Sequence, residues 1–337
     1  MREPTMADVA VHLGISRQLV SIVLRDVPGA SEETRKRVLA AARELGYSPN
    51  LGARTLRQTR SRHIGVSFAP VHATEPEMVE AIYPAAAELG YQVVLSAQTA
   101  TRNTYQSVEE LLTYRCAAII VIGSDLSSAE LQELSHRVKV PLVAVGSGKR
   151  NPDFDVVRSA GEQGLRLAAT HLIEMGHRSI TYIHSPSLPA ATARRRGFTT
   201  AVRAAGLDVD VLTTDGTDYT EESGASAGRE LLTRVALPTA VMAGNDQAAT
   251  GLMQTLSRAG VSIPGDVSLT GFDDSRFARL SSADLTTVRQ DPELMGTAAV
   301  GAAVRRIERP TLAPGVSLVR TELIVRSSTG RPRNPAR

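Results

Sequence analysis

Apolar residues recur with helical spacing in three blocks of the first 46 residues. Within each block they lie three or four positions apart or side by side, so each block has one apolar face. The faces consist of Met6, Val9, Ala10 and Leu13, then Leu19, Val20, Val23 and Leu24, then Val38, Leu39, Ala42 and Leu45. This pattern predicts three short helices that share a small core.

Capping residues indicate where these helices begin and end. Thr5 with Asp8 three positions later is close to a capping box, and Ser16 and Ser31 suit the N-caps of the second and third helices. Gly14 ends the first helix and leaves a tight turn before the second. Two helices joined by such a turn and supported by a third form a helix-turn-helix unit, which we place at about residues 6–25.

From residue 63 the periodicity changes, because short apolar runs alternate with helical segments. The apolar runs are residues 64–69, 93–97, 117–122, 142–145, 180–183, 239–243 and 267–272. The helical segments are residues 78–89, 161–175, 198–205, 225–233 and 247–259. Alternating units of this kind predict an α/β architecture with parallel sheets, and there are too many units for one sheet of ordinary size. We therefore expect two similar lobes.

Charge is distributed unevenly along the 337 residues, although the net charge is only +3. Residues 1–63 hold 11 Lys and Arg against 6 Asp and Glu, whereas the remainder holds 27 against 29. A basic N-terminal module beside a nearly neutral body suits contact with a polyanion. A solvated basic surface would show the same balance, so charge alone does not decide.

Several protein classes are disfavoured by composition. No apolar run approaches the ~18–20 residues that span a bilayer, and the N-terminus has no apolar core of a signal peptide. The single cysteine, Cys116, precedes an apolar run and fits a buried thiol. We expect a cytoplasmic protein without membrane contact.

Two polar residues lie at the start of the second predicted helix, where a helix-turn-helix presents side chains to base edges. Arg17 suits guanine and Gln18 suits adenine, each through paired hydrogen bonds. The alternative is an ordinary three-helix bundle whose exposed polar residues have no such role.

Residues just after the predicted strands of the body, and at one helix start, are candidate ligand contacts. They are Pro70 after the first strand, Asn245 and Asp246, Asp273 and Asp274, and Arg194, Arg195 and Arg196 at a helix start. Ligands of parallel α/β folds bind at the carboxyl ends of strands, and this mixture of groups suits a polyhydroxylated ligand. Taken singly, each residue also fits a helix cap or a turn.

Motifs for catalysis, phosphate binding or metal binding are incomplete. Gly224 and Gly228 have nucleophile-elbow spacing, but the stretch before them is polar and no histidine follows His184. The segment that begins at Gly146 lacks full phosphate-loop spacing, and His171 and His177 are too far apart for a zinc pair on one helix face. We therefore expect no enzyme activity, no catalytic residues, no cofactor and no metal.

The N-terminal module closely resembles the headpiece of the lactose-repressor/galactose-repressor family over residues 5–57. The resemblance is carried by Thr5-Met-Ala-Asp-Val-Ala, Leu13-Gly-Ile-Ser, Ser31-Glu-Glu-Thr-Arg-Lys-Arg-Val and Leu45-Gly-Tyr-Ser-Pro-Asn. It implies base reading by Arg17, Gln18 and Ile22, and contacts with the DNA backbone from Thr5, Ser16, Ser21, Ser31 and Asn50. Ile22 stands where the family usually has arginine, which puts the operator sequence in doubt.

The resemblance extends to a hinge, residues 49–62. In the family, this segment folds into a short helix on DNA and places a leucine in the minor groove. That role falls to Leu56, with Ala53 facing the groove beside it. Gly52 weakens the helix, so we expect this hinge to depend strongly on DNA for its folding.

Dispersed segments of the body resemble the same family up to about residue 330. They begin at His171, Arg194, Pro238, Gly244, Pro264 and Leu285. The resemblance implies a two-lobed, periplasmic-binding-protein-like effector domain in which Arg194, Asn245 and Asp273 bind the effector. It also places Tyr219 against the ligand and Gln290 near the crossover between lobes. The segment after Pro70 departs from the family pattern, which puts the effector-facing loop of the N-terminal lobe in doubt.

Together these features predict a DNA-binding regulator. The headpiece spans residues 1–48, the hinge 49–62, the effector-binding and dimerisation domain 63–327, and a disordered tail 328–337. We expect a homodimeric repressor that binds a pseudo-palindromic operator, associates with the nucleoid when bound, and responds to a sugar or sugar derivative. A nucleobase effector, a solute receptor without regulatory activity and an α/β enzyme are the alternatives.

Overall fold

The computed structural model describes residues 4–24, 27–47, 61–146, 151, 153–186, 190–214 and 219–333. The chain divides into two compact units, Met1–Ser61 and Arg62–Arg337.

The first unit contains three helices: α1 (Met6–Leu13), α2 (Arg17–Leu24) and α3 (Glu32–Glu44). The capping box of Thr5 and Asp8 is present, and Gly14 at the end of α1 has a left-handed φ of 65°. The axes of α1 and α2 are bent by 113°, the angle of a helix-turn-helix. One inward-facing prediction is wrong: Leu39 is 41% exposed, and Ala41 packs in the core instead.

The second unit contains two six-stranded sheets, which confirms the two lobes. The N-lobe strands are β1 (His63–Phe68), β2 (Gln92–Ala97), β3 (Ala118–Ile122), β4 (Leu142–Val145), β5 (Asp155–Ser159) and β11 (Val316–Val319). The C-lobe strands are β6 (Ile180–His184), β7 (Asp210–Thr213), β8 (Ala240–Met242), β9 (Ser268–Asp273), β10 (Thr286–Gln290) and β12 (Thr321–Ile324).

Both sheets have the same strand order, and they differ in the direction of one edge strand. The N-lobe order is β11-β5-β4-β3-β1-β2 and the C-lobe order is β12-β10-β9-β8-β6-β7. Strand pairs are parallel except β10 with β12. Each sheet is covered by helices on both faces, as the continuous apolar strands predicted.

Four helices cover each sheet. The N-lobe helices are α4 (Thr74–Glu88), α5 (Thr104–Thr113), α6 (Ser128–Arg137) and α11 (Pro292–Glu308), and the C-lobe helices are α7 (Gly161–Glu174), α8 (Ala191–Ala204), α9 (Glu221–Leu232) and α10 (Asp246–Arg258). The apolar pattern located α4, α7, α8, α9 and α10, although it placed the starts of α4, α8 and α9 several residues too late. It missed α5, α6, α11 and the strands β5, β7, β10, β11 and β12. Several of these strands are short or carry polar residues, so periodicity alone does not reveal them.

The chain passes between the lobes three times: from β5 to α7, from β10 to α11 and from β11 to β12. Two of these connections are tied together. Ala160 N–H donates to Val319 O at 2.8 Å, and Thr321 Oγ1 donates to Ala160 O at 3.2 Å. The connections lie beside the carboxyl ends of the strands, so they border any ligand bound there.

Glycines allow the C-lobe helices to approach backbone to backbone. A Cβ on Gly224 of α9 would lie 1.9 Å from Ala248 O of α10, and one on Gly251 of α10 would lie 1.9 Å from Glu221 O of α9. A Cβ on Gly197 of α8 would lie 2.0 Å from Glu162 O of α7. Gly224 and Gly228 therefore serve helix packing inside α9, which rules them out as a nucleophile elbow.

The predicted disordered tail is wrong for residues 328–333. Ser328 is buried and its N–H donates to Asp284 O, His171 pairs with Thr329, and His177 Nε2 lies 2.8 Å from Gly330 O. Low hydrophobicity suggested disorder, but polar contacts with the C-lobe hold this segment in place. Residues 334–337 lie outside the described part of the chain.

Among the described residues, no single helix is long and apolar enough to cross a bilayer. The bent pair α1 and α2 reaches the required length and apolar composition only when its two helices are counted together.

Candidate DNA-reading helix and ligand cavity

Helix α2 presents a polar N-terminus above an apolar inner face. Val20 and Val23 are buried in the headpiece core, whereas Arg17 and Gln18 are exposed on the first turn. Ser16 caps the helix, since its Oγ accepts from Leu19 N–H at 3.1 Å. The two predicted base-reading side chains therefore lie on a fixed helix end and project from it freely.

The other predicted DNA contacts fall into three groups. Thr5 and Ser31 are exposed N-caps of α1 and α3. Ser21 and Ile22 are partly buried, and a Cβ on Gly29 would lie 3.5 Å from Ile22 Cγ2. Asn50, Ala53 and Leu56 lie outside the described residues, together with most of the predicted hinge.

A cavity of about 150 Å³ lies between the two lobes of the second unit. Its walls come from the carboxyl ends of β3, β4, β5, β9 and β10 and from the starts of α4, α8 and α10. That volume is enough for one small ring, and because the cavity is partly open to solvent, the substituents of a bound ring can extend beyond it. Ligands of parallel α/β folds are expected at this edge of the sheets.

Five of the six predicted effector contacts come together in this cavity: Arg194, Tyr219, Asn245, Asp273 and Gln290. The sixth, Pro70, is exposed and lies outside the lining. The chain turns away after β1, and the lining begins two residues later at His72.

Arg194 is buried on α8, with its side chain 9% exposed. Its Nη1 donates to Gly244 O at 2.6 Å, and its Nη2 lies 3.8 Å from Asp273 Oδ1. The guanidinium carbon is 3.7 Å from the centre of the Phe272 ring, so the cation also stacks on an aromatic face. Its Nε is buried without a hydrogen-bond partner among the described residues.

Asp273 ends β9 in a strained backbone conformation with φ 121°. Burial raises the pKa of its carboxyl group to about 7, opposed by Arg194 and by the hydrogen bond from Gln290, while Glu77 raises it further. Gln290 Nε2 donates to Asp273 Oδ1 at 2.6 Å. This carboxyl group can therefore accept or donate a hydrogen bond near neutral pH, which suits a hydroxyl ligand.

The two neighbouring acids, Asp246 and Asp274, have structural roles. Asp246 is fully buried, and burial together with Asp273 raises its pKa well above the ordinary value. It accepts from Ser275 N–H at 2.7 Å and from Thr287 Oγ1 at 2.5 Å. Asp274 pairs with Arg289 at 2.7 Å and Arg326 at 2.6 Å, and neither Asp246 nor Asp274 lines the cavity.

Tyr219 and Asn245 are positioned by the backbone around them. The Tyr219 hydroxyl accepts from Ser185 N–H at 3.1 Å and lies 3.3 Å from the Tyr182 hydroxyl. A Cβ on Gly244 would lie 2.1 Å from the Tyr219 ring, so only glycine lets the ring pack there. Asn245 caps α10 through Oδ1, which accepts from Ala248 N–H at 2.8 Å.

Sequence reasoning missed the N-lobe wall. Its lining includes His72, Thr74, Glu75, Met78, Gly123, Arg158 and Ser159. Glu75 is buried and accepts from Ala69 N–H at 2.6 Å, and a Cβ on Gly123 would lie 1.9 Å from Glu75 Oε1. Helix α4 begins after Ala73 without a side-chain cap, and β5 gave no clear pattern. A signal that could have located this wall is Gly123, which directly follows the apolar strand β3.

The cavity combines hydrogen-bonding groups from the C-lobe with an apolar and mixed-charge wall from the N-lobe. Such a lining binds and orients a small polar ring. Within the described residues, no group of three His, Cys, Asp or Glu side chains could hold a metal ion.

Comparisons with known proteins agree with both units. Residues 5–50 match the family model for bacterial regulatory proteins of the lacI family, and residues 169–329 match the periplasmic binding protein-like domain. The chain is 30% identical over 331 residues to the HTH-type transcriptional repressor PurR of Pasteurella multocida, covering 96% of this chain and 98% of the relative. It is also 30% identical over 312 residues to the ribose operon repressor of Escherichia coli K12, covering 91% and 94%.

A solved structure supports the same assignment. The structure of the lac repressor dimer bound to operator and the anti-inducer ONPF aligns with a TM-score of 0.83 at 27% identity, over 98% of this chain and 100% of that one. The named relatives are transcriptional repressors, not enzymes. With a repressor at least 30% identical over nearly its whole length, this chain belongs to the LacI family of bacterial regulatory proteins.

Proposed function

We propose that the protein is a transcriptional repressor whose affinity for operator DNA is controlled by a small polar ligand in the interlobe cavity. The observation that carries the proposal is the exposed pair Arg17 and Gln18 on the first turn of a capped α2. Arginine and glutamine at that position of a helix-turn-helix form paired hydrogen bonds with base edges in the major groove.

In this proposal, the protein binds a pseudo-palindromic operator as a homodimer. The family relationship and the dimeric lac repressor structure support it. Two-fold symmetry of the protein then matches the two half-sites. A DNA-binding repressor works where the chromosome is, so we place it in the cytoplasm and, when bound, on the nucleoid. Ile22 contacts a thymine methyl, and Leu56 and Ala53 of the hinge enter the minor groove.

The effector is a sugar or a sugar derivative. Arg194, Asn245, Asp273 and Gln290 supply donors and acceptors, and Tyr219 supplies a ring. A nucleobase is the second candidate, because the chain is as similar to a repressor named PurR as to a ribose operon repressor. Since effector and DNA bind different sites of one protein, each changes the affinity for the other by the same factor.

Selection of operators from a random pseudo-palindromic library tests the DNA-binding part. We expect the full chain to enrich one symmetric site, and Arg17→Ala with Gln18→Ala to weaken it by about 10- to 100-fold for each lost base contact. Arg43→Ala, an exposed cation of α3, serves as the control and should keep the same sequence preference. Failure to enrich any symmetric site would overturn the proposal.

A thermal-shift screen of sugars, sugar derivatives and purines tests the ligand part. We expect compounds that raise the melting temperature also to change operator affinity in gel shifts. A compound that binds the wild type but leaves operator affinity unchanged would break the proposed coupling.

A further inference from the structure

Two arginines, one from each lobe, line the interlobe cavity with buried Nε atoms that have no hydrogen-bond partner among the described residues. They are Arg158 on β5 and Arg194 on α8. A buried guanidinium N–H without an acceptor is costly, because its desolvation is not compensated. An acceptor from a bound ligand would remove that cost.

The first crossover between the lobes has one of these arginines near each of its ends. Arg158 lies three residues before Gly161, where α7 begins. A Cβ on Gly161 would lie 3.3 Å from Arg194 Cγ and 3.9 Å from its Nε, so the stem of Arg194 packs against this crossover. Ser159, which follows Arg158 on β5, also lines the cavity and adds a hydroxyl donor.

Arg158 is a cavity cation that has no ion-pair partner in the part of the chain that the structure describes. It is partly buried, and no described carboxylate lies within ion-pair distance of it. The two acids of the lining are already engaged: Glu75 accepts from Ala69 N–H, and Asp273 accepts from Gln290 while Arg194 lies nearby. A neutral ligand would leave the charge of Arg158 without a partner in a partly dry site.

We propose that the effector is an anion, a small polyol or sugar with a carboxylate or phosphate group held by Arg158, Ser159 and the Nε of Arg194. This inference rests on the proposed function, since it specifies the ligand of the same cavity. Arginine forks match carboxylate and phosphate oxygens and bind them in bidentate fashion. The hydroxyls of the ligand then meet Asn245, Asp273 and Gln290, which belong to the C-lobe part of the lining.

Isothermal titration of the full chain with matched pairs tests the proposal. The pairs are D-glucose with D-glucose 6-phosphate and with D-gluconate, and D-ribose with D-ribose 5-phosphate. We expect at least one anionic member to bind about 10-fold or more tighter than its neutral partner. The phosphate and carboxylate arms show which group the site accepts.

Variants of Arg158 test whether this residue binds the anionic group of the ligand. Arg158→Gln should weaken the anionic probe by about 10- to 100-fold, the range of a hydrogen bond to a charged group, and change a neutral probe by less than about 3-fold. Arg158→Lys keeps the charge and should retain part of the affinity. Arg196→Gln, an exposed arginine of α8 paired with Glu162, is the matched control and should change neither.

Three results would overturn the anionic site: neutral members that bind as tightly as anionic ones, no anionic probe that binds at all, or an equal loss of both in Arg158→Gln. Operator binding by the same preparations separates this failure from failure of the proposed function. A protein that binds operator and responds only to neutral compounds would keep the repressor function and lose the anionic effector.

Discussion

The two lobes share one strand order and contribute differently to the cavity between them. The C-lobe wall consists of side chains already bonded to their own lobe, such as Arg194 to Gly244 O and Asn245 to Ala248 N–H. The N-lobe wall is largely apolar, with Met78, Val121 and Ile122 beside the charged Glu75 and Arg158. An equal strand order therefore does not mean equal walls: the C-lobe supplies most of the hydrogen-bonding groups of the cavity, and the N-lobe supplies most of its apolar surface together with Glu75 and Arg158.

The helices behind the two walls also differ, because those of the C-lobe approach each other more closely than those of the N-lobe. In the C-lobe, α9 and α10 meet backbone to backbone at Gly224 and Gly251, and their N-termini carry Tyr219 and Asn245. In the N-lobe, α4 and α11 meet less closely, since a Cβ on Gly296 would lie 2.8 Å from Met78 O. The closest helix contacts therefore lie behind the C-lobe wall, which supplies most of the hydrogen-bonding side chains of the cavity.

The largest effect is expected from filling the C-lobe helix contact. Gly224→Ala places a methyl group 1.9 Å from Ala248 O, and backbone cannot move aside as a flexible side chain does. We expect a loss of about 3 kcal/mol in the free energy of unfolding, the upper part of the range for overpacking. Thermal or urea denaturation measures it.

A control for this variant lies in α11. A Cβ on Gly301 meets nothing within 4 Å, so Gly301→Ala should stabilise by about 0.5–1 kcal/mol through helix propensity alone. Gly296→Ala should fall between the two. Equal losses at Gly224 and Gly296 would remove the difference that we draw between the lobes.

A smaller effect is expected from the buried acid of the C-lobe wall. Burial raises the pKa of Asp273 to about 7, so the folded protein retains a proton that the unfolded chain loses near its ordinary pKa of about 4. Between these values the folded state binds more protons, and stability falls as pH rises through this window. Asp273→Asn abolishes this titration.

Melting temperatures of wild type and Asp273→Asn across pH 5 to 8 test this expectation. The variant should gain stability relative to wild type as pH rises, by up to about 1.4 kcal/mol per pH unit. Glu293→Gln, an exposed acid of the first turn of α11, should leave the pH dependence unchanged. Parallel pH profiles for wild type and Asp273→Asn would show that Asp273 is ionised throughout.

The sequence predicted the C-lobe wall of the cavity better than the N-lobe wall, because only the C-lobe residues are marked by a local sequence pattern. In the C-lobe, Asp273 is the last residue of β9 and Asn245 lies three residues after β8, and both line the cavity. In the N-lobe, Pro70 follows a strand in the same way, yet the chain turns outward and the lining begins at His72. Arg158 lies on β5, whose partner β11 is about 160 residues away along the chain, so only tertiary pairing reveals its place.

The smallest effect is expected where the lobes touch at the surface. Arg279 of the C-lobe donates to Glu77 of α4 at 3.0 Å, with the side chains 49% and 22% exposed. Glu77→Gln should lower stability by about 0–1 kcal/mol at low salt and by less at high salt, because exposed ion pairs are weak and screened. The exchanged pair, Glu77→Arg with Arg279→Glu, should recover the loss if the contact is electrostatic. A loss in Glu77→Gln that persists at high salt, or that the exchange does not recover, would instead assign Glu77 a packing role in the N-lobe.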